Sequence, residues 1–198
     1  VEDGGTTVDD GGEALACGGP DAEPTEITFW FNGETIPPDN FASLQEEHNI
    51  TVSSDIRGDD ILPLTLQMRE AGEPLPDIIE IDVRTTADGR CVLMHDATLD
   101  RTTNGSGPVV AHTLDEIRKL DAGYHFTPDG ETHPFRGRGI GVPTLNEVLS
   151  SFPATRVNIE IKDGRAQDEV RRSIVECEAQ GRVLVAAGRK RDRSLFDD

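Results

Sequence analysis

The sequence predicts an α/β fold built of parallel βα units. Strand-sized apolar runs alternate with helical patterns from residue 27 to residue 187, and parallel neighbours need a crossover connection that usually contains a helix. Hydrophobic residues make up 35% of the 198-residue chain. That is enough apolar material for one core and little for a second, so one or two domains are expected.

The charge balance argues against one class of partner. The chain carries 38 acidic and 19 basic residues, which gives a formal net charge of −19. A nucleic acid partner is not expected, because binding a duplex requires a basic surface that displaces counterions. No apolar run approaches the roughly 18 residues of a membrane-spanning helix, so no transmembrane segment is expected either. The oligomeric state is left open.

The N-terminal residues 1–25 are expected to form a disordered acidic tail or tether. Residues 1–24 hold seven acids, six glycines and no Lys or Arg, a composition that cannot bury enough apolar surface to offset its ordering entropy. Residues 14–19 resemble the end of a lipoprotein signal, in which Cys17 would be lipidated, although residues 1–13 lack the cationic start and apolar stretch of such a signal. Lipidation at Cys17 implies an extracytoplasmic or cell-envelope location, and a cytoplasmic location is the alternative.

The next part of the chain, residues 26–76, predicts a βαβα segment. Apolar residues at strand spacing there alternate with apolar residues at helical spacing. In order, the predicted elements are a strand at 27–31, a helix capped by Asp39 and Asn40, a strand at 50–52 and a helix over 61–71.

The same alternation continues in the second half of the chain. Two capping boxes, Thr113 with Glu116 and Thr144 with Glu147, mark the starts of helices. Residues 121–143 lie between them, are rich in Gly, Pro and aromatic residues, and predict a long loop. In order, the predicted elements are strands at 78–83 and 91–94, a helix from 113 to 120, a helix from 144, a strand at 157–161, a helix at 166–179, a strand at 183–187 and a charged tail at 189–198.

Two carboxylates mark the most apolar strand. Glu80 and Asp82 lie two residues apart, so their side chains emerge on the same face of the strand 78–83. The apolar neighbours suggest a central strand, where two carboxylates would repel each other and lose hydration. A divalent cation would relieve that repulsion, and Ca²⁺ and Mg²⁺ prefer carboxylate oxygen. An exposed edge strand is the alternative that needs no cation.

Polar groups also mark two further strands. Glu160 and Lys162 repeat the two-residue spacing among apolar strand residues, so one face would offer a carboxylate and an ammonium group. His95 and Asp96 directly follow the strand 91–94, at a strand end where barrels and open parallel sheets place catalytic groups. His95 is therefore either catalytic or a structural histidine.

Seven motifs run in unbroken order through residues 77–188. They are Asp77–Val83, Thr86–Gly89, His95–Asp96, Leu99–Gly107, Leu120–Gly123, Pro143–Leu149 and Asn158–Lys162. Together they resemble the glycerophosphodiester phosphodiesterase family over a little more than half of the chain. The resemblance implies a TIM-type (β/α) barrel, here only partial, because four family strands are counted and a complete barrel typically needs about 250 residues.

The resemblance also implies an activity and a set of site residues. The activity is metal-dependent hydrolysis of glycerophosphodiesters, small-molecule substrates, to glycerol 3-phosphate and an alcohol, with Ca²⁺ or Mg²⁺ as the cofactor. His95 would be the general acid that protonates the leaving alkoxide, and Lys162 a catalytic cation that positions the phosphate. Arg101 would belong to a loop that binds the substrate, or to a turn held by an Asp-Arg pair. The implied metal ligands are Glu80, Asp82 and Glu160.

The family's first motifs are missing. Its members open with a His-Arg-Gly turn on the first strand, followed by a Pro-Glu-Asn-Thr segment, and the histidine is the second half of the acid/base pair. Residues 56–58 are Ile-Arg-Gly, and His48 is the only histidine before Glu80. Because loss of one member of an acid/base pair removes about 10²–10⁴-fold of rate, weak or absent turnover is expected.

A second resemblance concerns the N-terminal half. Residues 26–30 and 71–79 resemble the start of an extracellular solute-binding protein of an ABC importer. The alternative function is therefore an extracytoplasmic module, tethered through Cys17, that binds a sugar or polyol. The predicted organisation is that of a fusion, with a tail at 1–25, a solute-binding-like segment at 26–76, an incomplete phosphodiesterase-like domain at 77–188 and a charged tail at 189–198.

Overall fold

A computed structural model describes residues 23–31, 42–56, 72, 75–127 and 130–187. Several predictions concern residues outside these ranges, namely the acidic tail before residue 23 with Cys17, the helix over 61–71 and the charged tail at 189–198. No helix among the described residues is both long and apolar enough to span a membrane.

The chain divides into two compact units. The first comprises residues 1–26 and 37–51, and its described part contains helix α1 (Ala42–His48). The backbone N–H of Thr25 donates to the carbonyl of Asn49 at 3.1 Å. Asn49 follows α1 directly and has a positive φ of 54°, a conformation that asparagine tolerates better than most residues.

The second unit, residues 27–36 and 52–198, contains most of a six-stranded sheet. The strand order is β2-β1-β3-β5-β6, with β4 pairing against β3 off this path. Strands β1, β3, β5 and β6 pair in parallel. The strands are β1 (Thr25–Phe31), β2 (Ile50–Ile56), β3 (Ile78–Thr85), β4 (Cys91–Leu93), β5 (Arg156–Ile161) and β6 (Val183–Ala187).

Both predicted capping boxes are present and open the helices that follow them. The Thr113 hydroxyl accepts from the Glu116 backbone N–H, the Thr144 hydroxyl accepts from that of Glu147, and each glutamate accepts in return from its threonine backbone. The helix predicted from 113 to 120 is shorter than expected, since it ends at Ile117. In the described part of this unit the α-helices are α2 (Leu114–Ile117), α3 (Leu145–Ser151) and α4 (Gln167–Glu176).

The prediction that residues 91–94 form one of the parallel βα strands is wrong. Strand β4 pairs antiparallel with β3, with Val83 opposite Leu93 and Thr85 opposite Cys91. The physical reason is the length of the connection, because a parallel pair needs a crossover of a dozen or more residues. Only residues 86–90 join the two strands, and Gly89 supplies the positive φ of 78° within that turn.

The two faces of the sheet have different roles. On β3 and β5 the residues at alternate positions are buried and pack against the helices. The main members of this core are Ile79, Ile81, Val83, Val157, Ile159, Ile161, Leu145, Leu149, Phe152 and Val170. The period of two sends Glu80, Asp82 and Glu160 to the opposite face. The helices thus cover one face, and the polar residues of the motifs lie on the other.

We expect truncation in this core to destabilise the fold. Leu149 belongs to α3, and its side chain is completely buried in the core between this helix and the sheet. Leu149→Ala should therefore lower the free energy of unfolding by about 2–5 kcal/mol. Ser150, the next residue of α3, is exposed, and Ser150→Ala should change it by less than about 0.5 kcal/mol. Urea unfolding of both variants tests this packing, and equal midpoints would contradict it.

Candidate active site

Three carboxylates occupy one face of two adjacent strands. In the parallel pairing of β3 with β5, Glu80 lies opposite Asn158 and Asp82 lies opposite Glu160. Asp82 is buried, with 6% of its surface exposed, while Glu80 and Glu160 are half-buried. The structure therefore places the three residues predicted as metal ligands on one face of two neighbouring strands.

Lys162 lies against two of these carboxylates. Its Nζ is 2.8 Å from Glu160 Oε1 and 3.2 Å from Asp82 Oδ1. Burial acts to lower the pKa of Lys162, but the hydrogen bonds and the attraction of Glu160 and Asp82 outweigh it and raise the pKa above its ordinary value. The ammonium group is thus held in its charged form at neutral pH.

Glu80 differs from the other two carboxylates in its partner. Asn158 Nδ2 donates to Glu80 Oε2 at 2.9 Å. Burial, together with repulsion from Asp82 and Glu160, raises the pKa of Glu80 in spite of that hydrogen bond. A cation bound beside Glu80 would oppose this shift, because it would favour the charged form of the carboxyl group.

His95 is held by an acidic neighbour. His95 Nδ1 lies 2.9 Å from Asp96 Oδ1, and because an ionised carboxylate only accepts hydrogen bonds, Nδ1 must be the donor. Arg101 in turn donates to both oxygens of Asp96, from Nε at 2.6 Å and from Nη2 at 3.1 Å. The His95 side chain remains 44% exposed, so the ring is oriented through Nδ1 and accessible to solvent.

The Asp96–Arg101 contact should give a measurable pH dependence of stability. Hydrogen bonds from Arg101 lower the pKa of Asp96 from 3.8 to about 2. A lowered folded-state pKa contributes stability that is present above pH 3.8 and is lost as the pH falls towards 2.

We therefore expect wild type to exceed Asp96→Asn in free energy of unfolding at pH 6, with the difference shrinking as the pH falls below 3.8. Urea unfolding across this range measures the difference. A difference that stayed constant down to pH 2 would contradict the contact.

The loop after His95 is organised by its own backbone and side chains. The buried Thr103 hydroxyl donates to the Leu99 carbonyl at 2.8 Å and accepts from the Gly105 N–H at 3.0 Å. Asn104 Oδ1 accepts from the Asp121 N–H at 2.8 Å. A Cβ at position 105 would stand 2.7 Å from a methyl carbon of the Leu120 side chain. The loop is therefore held by its own hydrogen bonds, and its contact with substrate stays a prediction.

The donor set suits a hard divalent cation in its chemistry. Three carboxylates on one face of β3 and β5 supply the oxygen ligands that Ca²⁺ and Mg²⁺ prefer. As the side chains stand, no three His, Cys, Asp or Glu residues in the described part of the chain are grouped closely enough to hold an ion. Binding would therefore require Glu80, Asp82 and Glu160 to turn towards a common point, and Lys162 to share Asp82 and Glu160 with the cation.

The fold and the acidic face of β3 and β5 define an α/β protein with a carboxylate site on a mainly parallel sheet. A model of the glycerophosphoryl diester phosphodiesterase family matches residues 66–192. This match covers more than half of the chain, and the chain therefore belongs to that family.

Two curated relatives carry the same family name. The chain is 50% identical over 80 residues to a glycerophosphodiester phosphodiesterase of Bacillus subtilis (strain 168). The aligned region covers 38% of this chain and 26% of the relative. It is 42% identical over 118 residues to a glycerophosphodiester phosphodiesterase of Caldanaerobacter subterraneus subsp. tengcongensis. Here the aligned region covers 56% of this chain and 46% of the relative. The chain thus spans less than half the length of either relative.

A solved structure confirms the fold class. The glycerophosphoryl diester phosphodiesterase domain of a Mycobacterium tuberculosis protein superposes with a TM-score of 0.64 at 22% identity, over 86% of this chain and 56% of that one. The prediction of an α/β, partial TIM-type barrel is therefore confirmed. These comparisons give the second resemblance, to a solute-binding protein, no support, and it stays a prediction.

Proposed function

We propose that this chain is a metal-dependent phosphoric diester hydrolase that converts glycerophosphodiesters to glycerol 3-phosphate and an alcohol. The observation that carries the proposal is the placement of Glu80, Asp82 and Glu160 on one face of adjacent strands, with Lys162 in contact with two of them. Membership of the family supports the same chemistry.

Each carboxylate has a defined part in the proposal. Glu80, Asp82 and Glu160 would hold Ca²⁺ or Mg²⁺, which when bound polarises a phosphoryl oxygen and offsets negative charge. Asp82 and Glu160 also keep Lys162 protonated. The Lys162 ammonium group is then available to attract the phosphate and to stabilise the charge that develops during displacement.

His95 supplies the proton for the leaving group. With Nδ1–H donated to Asp96, the imidazolium form carries its second proton on Nε2. Transfer of that proton to the leaving alkoxide gives the alcohol and leaves the neutral Nδ1–H tautomer, which the Asp96 contact favours. Arg101 acts in this scheme on Asp96, and direct contact between Arg101 and the substrate stays a prediction.

The proposal is tested by determining which of the two phosphoester bonds of the substrate is cleaved. Hydrolysis of glycerophosphocholine by the 198-residue chain with Mg²⁺ or Ca²⁺, followed by ³¹P NMR, should give glycerol 3-phosphate. Phosphocholine as the product would show attack on the other ester and would contradict the proposal. Turnover is expected to be slow, because the sequence before Glu80 contains no His-Arg-Gly motif. The histidine of that motif is the second half of the family's acid/base pair. Glu147→Gln, a change at an exposed residue of α3, is the matched control.

A further inference from the structure

Arg84 extends the polar face of β3 beyond the carboxylates. It lies two residues after Asp82 on the same strand, so its half-buried side chain emerges on the same face. Two of its nitrogens donate to one acceptor, the backbone carbonyl of His95, from Nε at 2.9 Å and from Nη2 at 2.7 Å. The third, Nη1, reaches the backbone carbonyl of Lys162 at 3.5 Å.

These contacts join two segments that do not pair with each other directly. His95 follows β4, Lys162 follows β5, and both strands pair with β3. Backbone hydrogen bonds tie each segment to β3, from Met94 N–H to the Asp82 carbonyl at 3.0 Å and from Lys162 N–H to the Val83 carbonyl at 3.1 Å. The two segments run in opposite directions along β3, and the Arg84 side chain binds the next carbonyl of one and the Lys162 carbonyl of the other.

Arginine is suited to this task in a way that lysine is not. Its guanidinium group is planar and presents donors in a fixed fork, so it can bind one carbonyl through two N–H groups and still reach another. A lysine ammonium group carries a similar charge on a flexible stem and cannot reproduce this geometry.

We infer that Arg84 is a positioning residue, which holds the backbone at His95 and at Lys162. In these positions the His95 proton donor and the Lys162 ammonium group can both reach the same phosphodiester. The inference rests on the proposed function for the roles of His95 and Lys162. It adds a residue whose contacts are with backbone atoms alone, and whose effect on the reaction is indirect.

The first test is kinetic. Arg84→Lys keeps the charge and should lower kcat about 10²-fold with a smaller change in KM, because a misplacement of about 1 Å can cost that much. Arg84→Ala should lose at least as much, and added guanidinium ion at concentrations below those that unfold the chain should restore part of its kcat. Arg118→Lys is the matched control, since Arg118 is an exposed residue that pairs with Glu147 and should keep wild-type kcat.

The second test needs no activity. Amide hydrogen exchange at Met94 and Lys162 should accelerate about tenfold in Arg84→Lys, the change expected for loss of hydrogen bonds to a charged group. The Val148 amide, which donates to the Thr144 carbonyl in α3, should exchange at its wild-type rate. This internal comparison separates local loosening from general destabilisation of the variant.

The outcomes separate the inference from the proposed function. Unchanged kcat in both Arg84 variants of an active enzyme would overturn the inference. Unchanged exchange at Met94 and Lys162 would overturn it whether or not the enzyme is active. A wild-type chain that fails to hydrolyse any glycerophosphodiester would overturn the proposed function, and faster exchange in Arg84→Lys would then still establish that Arg84 holds the two segments.

Discussion

Glu80→Gln is expected to remove metal binding and to lower kcat by about 10²–10³-fold, the range observed when one group that stabilises transition-state charge is removed. Glutamine keeps an oxygen that can accept from Asn158 but loses the negative charge that attracts a divalent cation most strongly. Wild type should gain about 2.7 kcal/mol in free energy of unfolding at a metal concentration one hundred times Kd. The variant should gain nothing.

In the absence of metal, the same variant is expected to be at least as stable as wild type. The raised pKa of Glu80, caused by burial and by repulsion from Asp82 and Glu160, means that its charged form costs stability above that pKa. Glu80→Gln removes this cost and should unfold at or above the wild-type temperature in EDTA. Thermal unfolding with and without Ca²⁺ or Mg²⁺ measures both effects, with Glu46→Gln, a change at an exposed residue of α1, as the control expected to match wild type. A metal-dependent shift that survives in Glu80→Gln would remove Glu80 from the site.

His95→Gln should lower kcat by about 10²–10⁴-fold on a substrate whose leaving group is a simple alcohol. The reason is that an alkoxide is a poor leaving group unless it is protonated as it departs. A p-nitrophenyl phosphodiester of glycerol releases a stabilised phenolate and needs no such proton. The variant should therefore hydrolyse the activated ester at close to the wild-type rate.

His112→Gln is the matched control for this comparison. His112 Nε2 lies 3.1 Å from the Ser106 carbonyl oxygen, and His112 has no part in the proposed chemistry. Equal losses on both substrates in His95→Gln would show that His95 supports the site in another way than as a general acid. Full activity on both would exclude it from the reaction.

The placement of the carboxylates could be predicted because it depends on local geometry. Glu80 and Asp82 share a face wherever their strand lies, since side chains alternate along any β-strand. The pairing of Asp82 with Glu160 is different, because it depends on the register between strands that are far apart in sequence. No local pattern encodes that register, and the family motifs alone suggested that the two strands contribute to one site.

Strand β4 shows why an apolar run is an incomplete signal. Residues 91–94 have the composition of a buried strand in either direction, and the sequence motif after them suggested a parallel one. The length of the preceding turn, residues 86–90, was the deciding signal, because it is too short for a crossover. His95 thus lies beside the polar face through a hairpin, and not at the end of a barrel strand.

Arg84 and Arg101 show the limit of motif-based inference for long polar side chains. Sequence analysis did not single out Arg84, although its position two residues after Asp82 puts it on the same face of the strand. Its acceptors are backbone carbonyls that only the tertiary structure brings within reach. Arg101 was predicted to bind substrate, and the structure places its guanidinium group on Asp96. For both residues the sequence shows the charge, and only the fold shows what the charge contacts.

The central claim is that the carboxylate face of β3 and β5 hydrolyses glycerophosphodiesters with the help of a divalent cation. The most direct measurement is the rate of glycerol 3-phosphate release from glycerophosphocholine by metal-free chain titrated with Mg²⁺ or Ca²⁺. The rate should rise with metal concentration to saturation and return to baseline on addition of EDTA. A rate that is the same in EDTA and in saturating metal, or no release at any metal concentration, would contradict it.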